Sequence, residues 1–312
     1  YHIRNQETLA DLLCEQSGME QVFFSNSGAE ANEAAIKLAR LFGHNNGIDK
    51  PEIVVMQNSF HGRTMATLSA SGNRKVQAGF EPLVSGFVRA PYNDIDALKA
   101  IADNNRNVVA VLLEPVQGEC GINIPDPGYL SSIRQICDDN NWLMMLDEIQ
   151  TGMGRTGKNF CLQHEIDKPD GVTVGKALGG GIYPVSAFIG RRNIMETFIP
   201  GSHGSTFGGN AIAAAIGSKA IDLLEKEKRA QRSAELGAYM KERLEAIKSP
   251  AIKEIRCIGL WAGLELNPAV TDGKSAAYKL KDRGLLCKET HETTLRLAPP
   301  LIISKEEIDW AM

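Results

Sequence analysis

Short apolar runs alternate with amphipathic stretches along most of the chain. The runs with the length and residue types of buried strands lie at 22–24, 53–56, 108–113, 143–146, 172–174 and 186–189. Apolar residues at helical spacing predict helices between these runs, at 28–42, 94–104, 127–139 and 191–198. Strands that alternate with helices are typical of an α/β fold, so we expect a mostly parallel sheet flanked by helices.

The pattern changes near Asn210, where a long helical zone begins. This zone covers 210–248 with an interruption near Lys228; strand-like segments at 255–266, 285–288 and 294–297 and a helix near 274–283 follow it. We therefore expect a large domain over residues 1–218 and a smaller C-terminal α+β domain over residues 219–312. The chain starts at Tyr1 without a methionine and stops within a helical pattern, so we expect an N-terminal segment and the C-terminal end to be missing.

The composition is ordinary for a globular protein, with 43% hydrophobic and 23% charged residues and a net charge of -4. The charges are spread along the chain, which argues against a nucleic-acid-binding surface. Apolar runs all fall short of the roughly 20 residues that a membrane-spanning helix needs. The six cysteines form no CxxC pair and the six histidines no HExxH motif, so we expect free thiols, a cytoplasmic location and no metal site.

Two of the apolar runs end in residues that carry chemistry. One run ends at Lys176, and the run before it ends at Asp147. Because the carboxyl ends of parallel strands meet at one edge of a sheet, we expect the amine and the carboxylate to lie close together. Pyridoxal phosphate (PLP) requires such a pair: an amine that forms a Schiff base with its aldehyde, and a carboxylate that keeps its ring nitrogen protonated.

A third segment suits a phosphate group. The strand at 22–24 is followed by Ser27, Gly28 and Ala29, where a helix is predicted to begin, and Ser27 with Glu30 fits the capping-box pattern. The first turn of a helix offers unpaired N–H groups and a positive dipole end to an anion. Taken alone, the segment also fits an ordinary helix cap.

Two glycine patterns suggest other ligands. The segment 152–157 reads GxGxxG, which would favour a nicotinamide or flavin cofactor, but no convincing helix follows it. The segment 171–176 is similar to a phosphate-binding Walker loop, but it is one residue short and has Ala177 where a hydroxyl residue must meet Mg²⁺. We therefore keep the nicotinamide enzyme as a remote alternative and reject the Walker loop.

Taken together, the chain resembles the class III (subgroup II) PLP-dependent aminotransferases, specifically the ornithine and acetylornithine aminotransferases. The motifs that carry this resemblance are SNSGAEA at 25–31, SFHGRT at 59–64, EPVQGE at 114–119, LDEIQTG at 146–152, GKALGG at 175–180 and HGSTFGGN at 203–210. They occur in one order over essentially the full chain. The resemblance implies the fold of the type I PLP-dependent transferases.

The resemblance also implies roles for individual residues around the cofactor. Lys176 is similar to the lysine that binds PLP, and Asp147 to the partner of the ring nitrogen. Gln150 is similar to the residue that hydrogen-bonds the ring's phenolic oxygen, and Phe60 to the aromatic side chain stacked on the ring.

Phosphate-binding and subunit roles follow from the same resemblance. Ser27, Gly28 and Ala29 match the phosphate-binding turn. Thr206 matches a phosphate ligand that reaches across from the neighbouring subunit, which implies a homodimer with shared active sites.

For the substrates, the resemblance implies that Arg63 and Arg296 bind the two carboxylates of 2-oxoglutarate or glutamate. Ser205 is also expected in the substrate site. Glu119 matches a residue that pairs with Arg296 while a donor with a terminal amine is bound, and that moves aside for the dicarboxylate. Arginine suits both positions because its guanidinium group binds a carboxylate through two hydrogen bonds.

The identity of the amino donor stays open at this point. The segments 181–186 and 284–291 resemble ornithine aminotransferases, whereas 23–33 and 67–72 resemble acetylornithine aminotransferases. We expect ornithine or N2-acetylornithine as donor, with ornithine favoured. The alternatives are another ω-amino acid such as 4-aminobutyrate, an isomerase of the glutamate-1-semialdehyde aminomutase type, and a PLP-binding protein without turnover.

Overall fold

The computed structural model describes residues 2–312, which form two compact units. The first unit contains the chain up to Pro115 together with Pro125–Gln150 and Leu162–Asp222. The second unit contains Val116–Ile124, Thr151–Cys161 and Leu223–Met312. Two short segments from the middle of the chain therefore belong to the same unit as its C-terminal part.

Seven strands form the sheet of the first unit within the described residues. They are β1 (Gln21–Ser25), β2 (Glu52–Met56), β3 (Phe87–Ala90), β4 (Val108–Leu113), β5 (Leu143–Asp147), β6 (Gly171–Val174) and β7 (Ser186–Gly190). Their order across the sheet is β1-β7-β6-β5-β4-β2-β3. Strand β7 runs antiparallel to both of its neighbours, while the remaining pairs are parallel. The prediction of an α/β fold with a mostly parallel sheet is confirmed.

Among the described residues, seven α-helices lie wholly within the first unit, and the four with ten or more residues are amphipathic and bury apolar side chains. The seven helices are α1 (Arg4–Ser17), α2 (Gly28–Asn45), α3 (Met65–Ala70), α4 (Arg74–Gln77), α5 (Ile95–Asn104), α6 (Tyr129–Asn140) and α7 (Arg192–Met195). The long helix α2 places Ala34, Ala35 and Leu38 in one buried cluster with strand residues such as Leu112 and Phe188. Small alanine side chains let this helix approach the sheet closely.

Helix α8 (Ala211–Lys226) contains the end of the first unit and the start of the second. The other elements of the second unit are α9 (Arg229–Ala246), β8 (Ile252–Cys257), β9 (Ala262–Leu266), α10 (Gly273–Lys281), β10 (Lys288–Thr290), β11 (Thr294–Leu297) and α11 (Lys305–Ala311). Its strands form an antiparallel sheet in the order β10-β11-β9-β8. The core of this unit consists mainly of leucines, including Leu236 and Leu264, together with Met240, Ala262 and Ile308.

Several predicted elements need correction. The strand predicted at 255–266 is two strands, β8 and β9, because the chain turns at Gly259, whose φ of 54° suits a residue without a Cβ. The strand predicted at 285–288 begins only at Lys288. The helix predicted at 191–198 is a single turn, α7, and α1 and β3 were not predicted at all.

The predicted break in the helical zone is confirmed. The interruption near Lys228 separates α8 from α9, and Lys228 itself has a φ of 49°. The glycine pattern at 152–157 lies in a series of turns, with Gly154 and Gly157 in the left-handed region, and no α-helix opens after it. The structural context of a dinucleotide-binding fingerprint is therefore missing. Among residues 2–312, all helices are too short or too polar to cross a bilayer.

The turn after β6 holds Lys176 in a backbone conformation that side chains rarely adopt. Lys176 has a φ of 42° and begins a short 3-10 turn at Lys176–Gly179. A left-handed conformation costs an ordinary L-residue about 1–2 kcal/mol, and such strain is concentrated at functional sites. The fold therefore stabilises a strained backbone at this lysine.

This strain predicts that, at position 176, a glycine variant is more stable than an alanine variant, which is the reverse of the order in an ordinary helix. Lys176→Gly should be more stable to urea than Lys176→Ala by about 1 kcal/mol, because glycine adopts a positive φ without a Cβ clash. Lys99, in the ordinary helix α5, is the control: there the alanine variant should be more stable than the glycine variant by a similar amount. Equal stability of the two variants at position 176 would show that the backbone is not strained.

Candidate active site

The carboxylate of Asp147 lies at the carboxyl end of β5 and is 4% exposed. Its Oδ2 atom accepts hydrogen bonds from Asn32 Nδ2 at 2.7 Å and from His61 Nδ1 at 2.8 Å. Its Oδ1 atom accepts a third from the backbone N–H of Ile149 at 3.1 Å. A buried carboxylate is stable when it accepts several hydrogen bonds, so these donors hold a negative charge in a fixed direction.

Asn32, one of the two side chains that hold Asp147, is itself held by hydrogen bonds. Asn32 accepts a hydrogen bond from the hydroxyl of Thr173 at 2.9 Å and donates to the carbonyl oxygen of His61 at 2.8 Å. Thr173 lies opposite Asp147 in the parallel pairing of β5 with β6. Because an ionised carboxylate only accepts, His61 Nδ1 carries the ring hydrogen of that contact. The network thus fixes the orientation of both the amide and the imidazole.

Lys176 and Asp147 line one cavity of about 310 Å³ in the first unit. The residues around it are Gly28, Ala29, Phe60, His61, Gly62, Arg63, Glu114, Asp147, Ile149, Gln150 and Lys176. The structure therefore brings together most of the cofactor residues predicted from the sequence, and Arg63 with them. It does so because β5 and β6 are parallel neighbours whose carboxyl ends meet at one edge of the sheet.

Phe60 forms one wall of this cavity. Its backbone N–H donates to Glu114 Oε2 at 3.0 Å, and Glu114 is buried at the end of β4. The guanidinium carbon of Arg63 lies 6.0 Å from the centre of the Phe60 ring, a cation–π distance. The aromatic ring and the guanidinium group are thus positioned together.

The start of α2 closes another side of the cavity. Ser27 is the helix N-cap, and its hydroxyl accepts from the backbone N–H of Glu30 at 3.3 Å, as the sequence predicted. A Cβ on Gly28 would lie 2.7 Å from Ile149 Cδ1, so a larger residue at position 28 would have to displace the Ile149 side chain. Gly28 and Ala29 line the cavity, whereas the Ser27 side chain is directed to its own helix turn.

Ser205 and Thr206 lie in a separate loop of the first unit. Ser205 Oγ accepts hydrogen bonds from Asn26 Nδ2 at 3.2 Å and from the backbone N–H of Gly208 at 3.1 Å. Thr206 is exposed. Within the described residues, this chain does not place either of them on the wall of the cavity. Their roles in binding stay predictions.

The second unit holds the predicted pair of Glu119 and Arg296. Arg296 Nη1 lies 2.7 Å from Glu119 Oε1, and Lys288 Nζ lies 3.3 Å from Glu119 Oε2. Burial alone raises the pKa of the Glu119 carboxyl, but the hydrogen bond and charge of Arg296, helped by Lys288, outweigh it and bring the pKa below its usual range. Glu119 is therefore an ionised partner of Arg296 at neutral pH.

Three residues of this network were missed at the sequence level. Asn32 is a polar residue within the apolar face of α2, and that break in the pattern was a usable signal. His61 lies within the motif at 59–64, and Glu114 is an acidic residue that directly follows the apolar strand β4. Their contacts with Asp147 and Phe60 depend on pairings between distant segments, which the sequence pattern does not give.

Comparison with known proteins fits this geometry. The family model of the class-III aminotransferases matches residues 1–312. An acetylornithine aminotransferase of Nitrosomonas europaea is 50% identical over 313 residues, covering 99% of this chain and 78% of that protein. An ornithine aminotransferase of Staphylococcus carnosus is 48% identical over 314 residues, with coverage of 99% and 78%.

A solved structure shows the same similarity in three dimensions. The ornithine aminotransferase of Toxoplasma gondii, whose crystal structure has PLP in partial occupancy at the active site, superposes with a TM-score of 0.94 at 37% identity. The match covers 98% of this chain and 74% of that one. The family model over the whole chain and the two relatives show that this chain belongs to the class-III aminotransferases.

Proposed function

We propose that this protein uses PLP to transfer the terminal amine of ornithine, or of N2-acetylornithine, to 2-oxoglutarate, giving a semialdehyde and glutamate. The observation that carries the proposal is that Lys176 and Asp147 line one cavity with the aromatic ring of Phe60 and the first turn of α2. The names of the relatives support this pair of donors, and ornithine is the favoured one. We also propose a cytoplasmic homodimer, in which Ser205 and Thr206 contribute to the sites.

The residues of the cavity fit PLP in charge and in shape. The Asp147 carboxylate accepts three hydrogen bonds from the protein and presents a fixed negative charge to a cationic ring N–H. The start of α2, kept free of a side chain at Gly28, suits a phosphate dianion. Bound PLP supplies an aldehyde that links covalently to amines and a ring that accepts electrons.

Each residue then has a defined task. Asp147 would keep a proton on the ring nitrogen, Gln150 would donate to the phenolic oxygen, and Phe60 would pack against the ring. The Lys176 amine would bind the aldehyde of the cofactor, and with a donor amine bound it would move a proton at the substrate carbon as a general base and acid. The fixed hydrogen bonds around Asp147 keep its charge in place during this transfer.

Substrate selection is assigned to the charged residues. Arg63 and Arg296 each bind one carboxylate of the acceptor, for which the planar guanidinium is suited. Glu119 neutralises Arg296 while the donor is bound, because a terminal amine would be repelled by an uncompensated cation. When 2-oxoglutarate binds, its carboxylate replaces that of Glu119 on Arg296. One protein can thereby accept a diamino acid and then a dicarboxylate.

The loaded protein gives the most direct test. Ornithine or N2-acetylornithine should change the visible absorption of the cofactor in a single turnover, and 2-oxoglutarate should restore it. Borohydride should attach the cofactor to a peptide containing Lys176, whereas Lys176→Ala should take up no covalent label and lose transamination. Lys158→Ala, at an exposed lysine outside the cavity, is the matched control.

Three outcomes would count against the proposal. A covalent label at another lysine would remove the role of Lys176. Failure of 2-oxoglutarate to restore the spectrum would favour an isomerase of the aminomutase type, which needs no external acceptor. A response to 4-aminobutyrate alone would show that 4-aminobutyrate, and not ornithine or N2-acetylornithine, is the amino donor.

The support of Asp147 predicts an effect on cofactor affinity. Asn32→Ala removes the 2.7 Å hydrogen bond to Asp147 and leaves a buried carboxylate with one donor fewer. Hydrogen bonds to charged groups contribute about 1.5–3 kcal/mol, so PLP should bind at least about tenfold more weakly by equilibrium titration. Asn46→Ala changes an exposed asparagine at the other end of α2 and should leave the affinity unchanged. Equal affinities for both variants would refute a supporting role of Asn32.

The pair of Glu119 and Arg296 predicts opposite effects on the two half-reactions. In Glu119→Gln, the ornithine half-reaction should slow because Arg296 is left without a counter-charge, and the KM for 2-oxoglutarate should fall because no carboxylate must be displaced. Single-turnover kinetics with each substrate measures both effects. Glu254→Gln breaks another glutamate–arginine pair of the same unit and is the control. Unchanged rates of both half-reactions in Glu119→Gln would disprove the switch.

A further inference from the structure

The carboxylate of Glu119 is held by two cations at once. Its Oε1 atom lies 2.7 Å from Arg296 Nη1, and its Oε2 atom lies 3.3 Å from Lys288 Nζ. Arg296 in β11 pairs directly with Lys288 in β10 in the antiparallel register, so both side chains leave the same face of the sheet. The two cations repel each other across this pair, and the carboxylate between them offsets that repulsion.

The three side chains differ in their access to water. Arg296 is 19% exposed, Glu119 is 30% exposed and Lys288 is 59% exposed. The shorter contact is thus to the more buried cation, and Lys288 lies on the solvent side of the carboxylate. A carboxylate that leaves Arg296 toward the solvent would keep a counter-charge within reach.

The backbone of Glu119 is fixed while its side chain has this choice of partners. The hydroxyl of Thr290, two residues after Lys288 in β10, donates to the backbone carbonyl oxygen of Glu119. The same short strand therefore carries the anchor of the main chain and the second cation. A rotation of the side chain alone can change the balance between Arg296 and Lys288.

We propose that Lys288 is a specificity-determining residue that retains the Glu119 carboxylate when a substrate carboxylate occupies Arg296. This inference rests on the proposed function, in which the Glu119 carboxylate moves away from Arg296 so that a carboxylate of the acceptor can bind there. In the resting state, Arg296 already compensates the charge of Glu119. When the acceptor occupies Arg296, Lys288 is the remaining partner of this half-buried carboxylate, so Lys288 matters more in the acceptor-bound state. Without Lys288, the Glu119 carboxylate should leave Arg296 less readily, and the acceptor should therefore bind more weakly.

The test compares Lys288→Gln with the parent protein loaded with PLP. Because the contact is largely exposed, its loss should raise the KM for 2-oxoglutarate about two- to fivefold, with little change in kcat or in the ornithine half-reaction. Lys288→Arg keeps a cation and should restore the parent KM to within a factor of about two. Lys253→Gln removes the same charge from β8, at the opposite edge of the sheet, and should have no effect.

A double variant separates an action through Glu119 from a direct attraction of the substrate. In a Glu119→Gln background, Lys288→Gln should leave the KM for 2-oxoglutarate unchanged, because the group that it retains has lost its charge. A rise of the same size in that background would overturn the proposal in favour of direct attraction. An unchanged KM in Lys288→Gln, with clear effects of Glu119→Gln, would overturn it while leaving the proposed function intact. If Glu119→Gln itself changed neither half-reaction, both the switch and the role of Lys288 would fall.

Discussion

The buried negative charge of Asp147 is the feature on which the rest of the site depends. A carboxylate that is 4% exposed is costly to bury unless donors replace the water that it loses. Here a helix side chain, an imidazole and a backbone N–H supply those donors. They come from three separate parts of the sequence, so the charge is stable only after the sheet and α2 have packed together. Folding and preparation of the site are thus the same event.

The carboxylate of Glu119 in the second unit is held less firmly than that of Asp147. Glu119 has one strong and one weaker partner and is 30% exposed, so changing partners costs far less than moving Asp147 would. Asp147, which is proposed to keep the cofactor electron-poor, has to stay fixed. A group that must admit two substrates of different charge has to move. The burial of each carboxylate matches the task assigned to it.

The sequence predicted the fold well where its pattern was strong. The α/β alternation, the helix cap at Ser27 and the break at Lys228 follow from local chemistry, and the meeting of Lys176 with Asp147 follows from a general property of parallel sheets. The pattern failed at 255–266, because a turn at Gly259 does not interrupt the run of apolar residues. It did not give the partners of Asn32, His61 or Lys288, although the polar Asn32 interrupts the apolar face of α2, because these contacts arise from pairings between segments that are far apart in the chain.

Helix α2 serves both ends of the proposed cofactor site. Gly28 and Ala29 lie in its first turn, beside the place proposed for the phosphate, and Asn32 lies one turn further along, against Asp147. With a rise of about 1.5 Å per residue, this helix sets a spacing of roughly 6 Å between the two contacts. The helix therefore fixes the distance and direction between the two contacts. A residue inserted or deleted between positions 28 and 32 would rotate and shift one contact relative to the other, even if the new sequence still formed a helix.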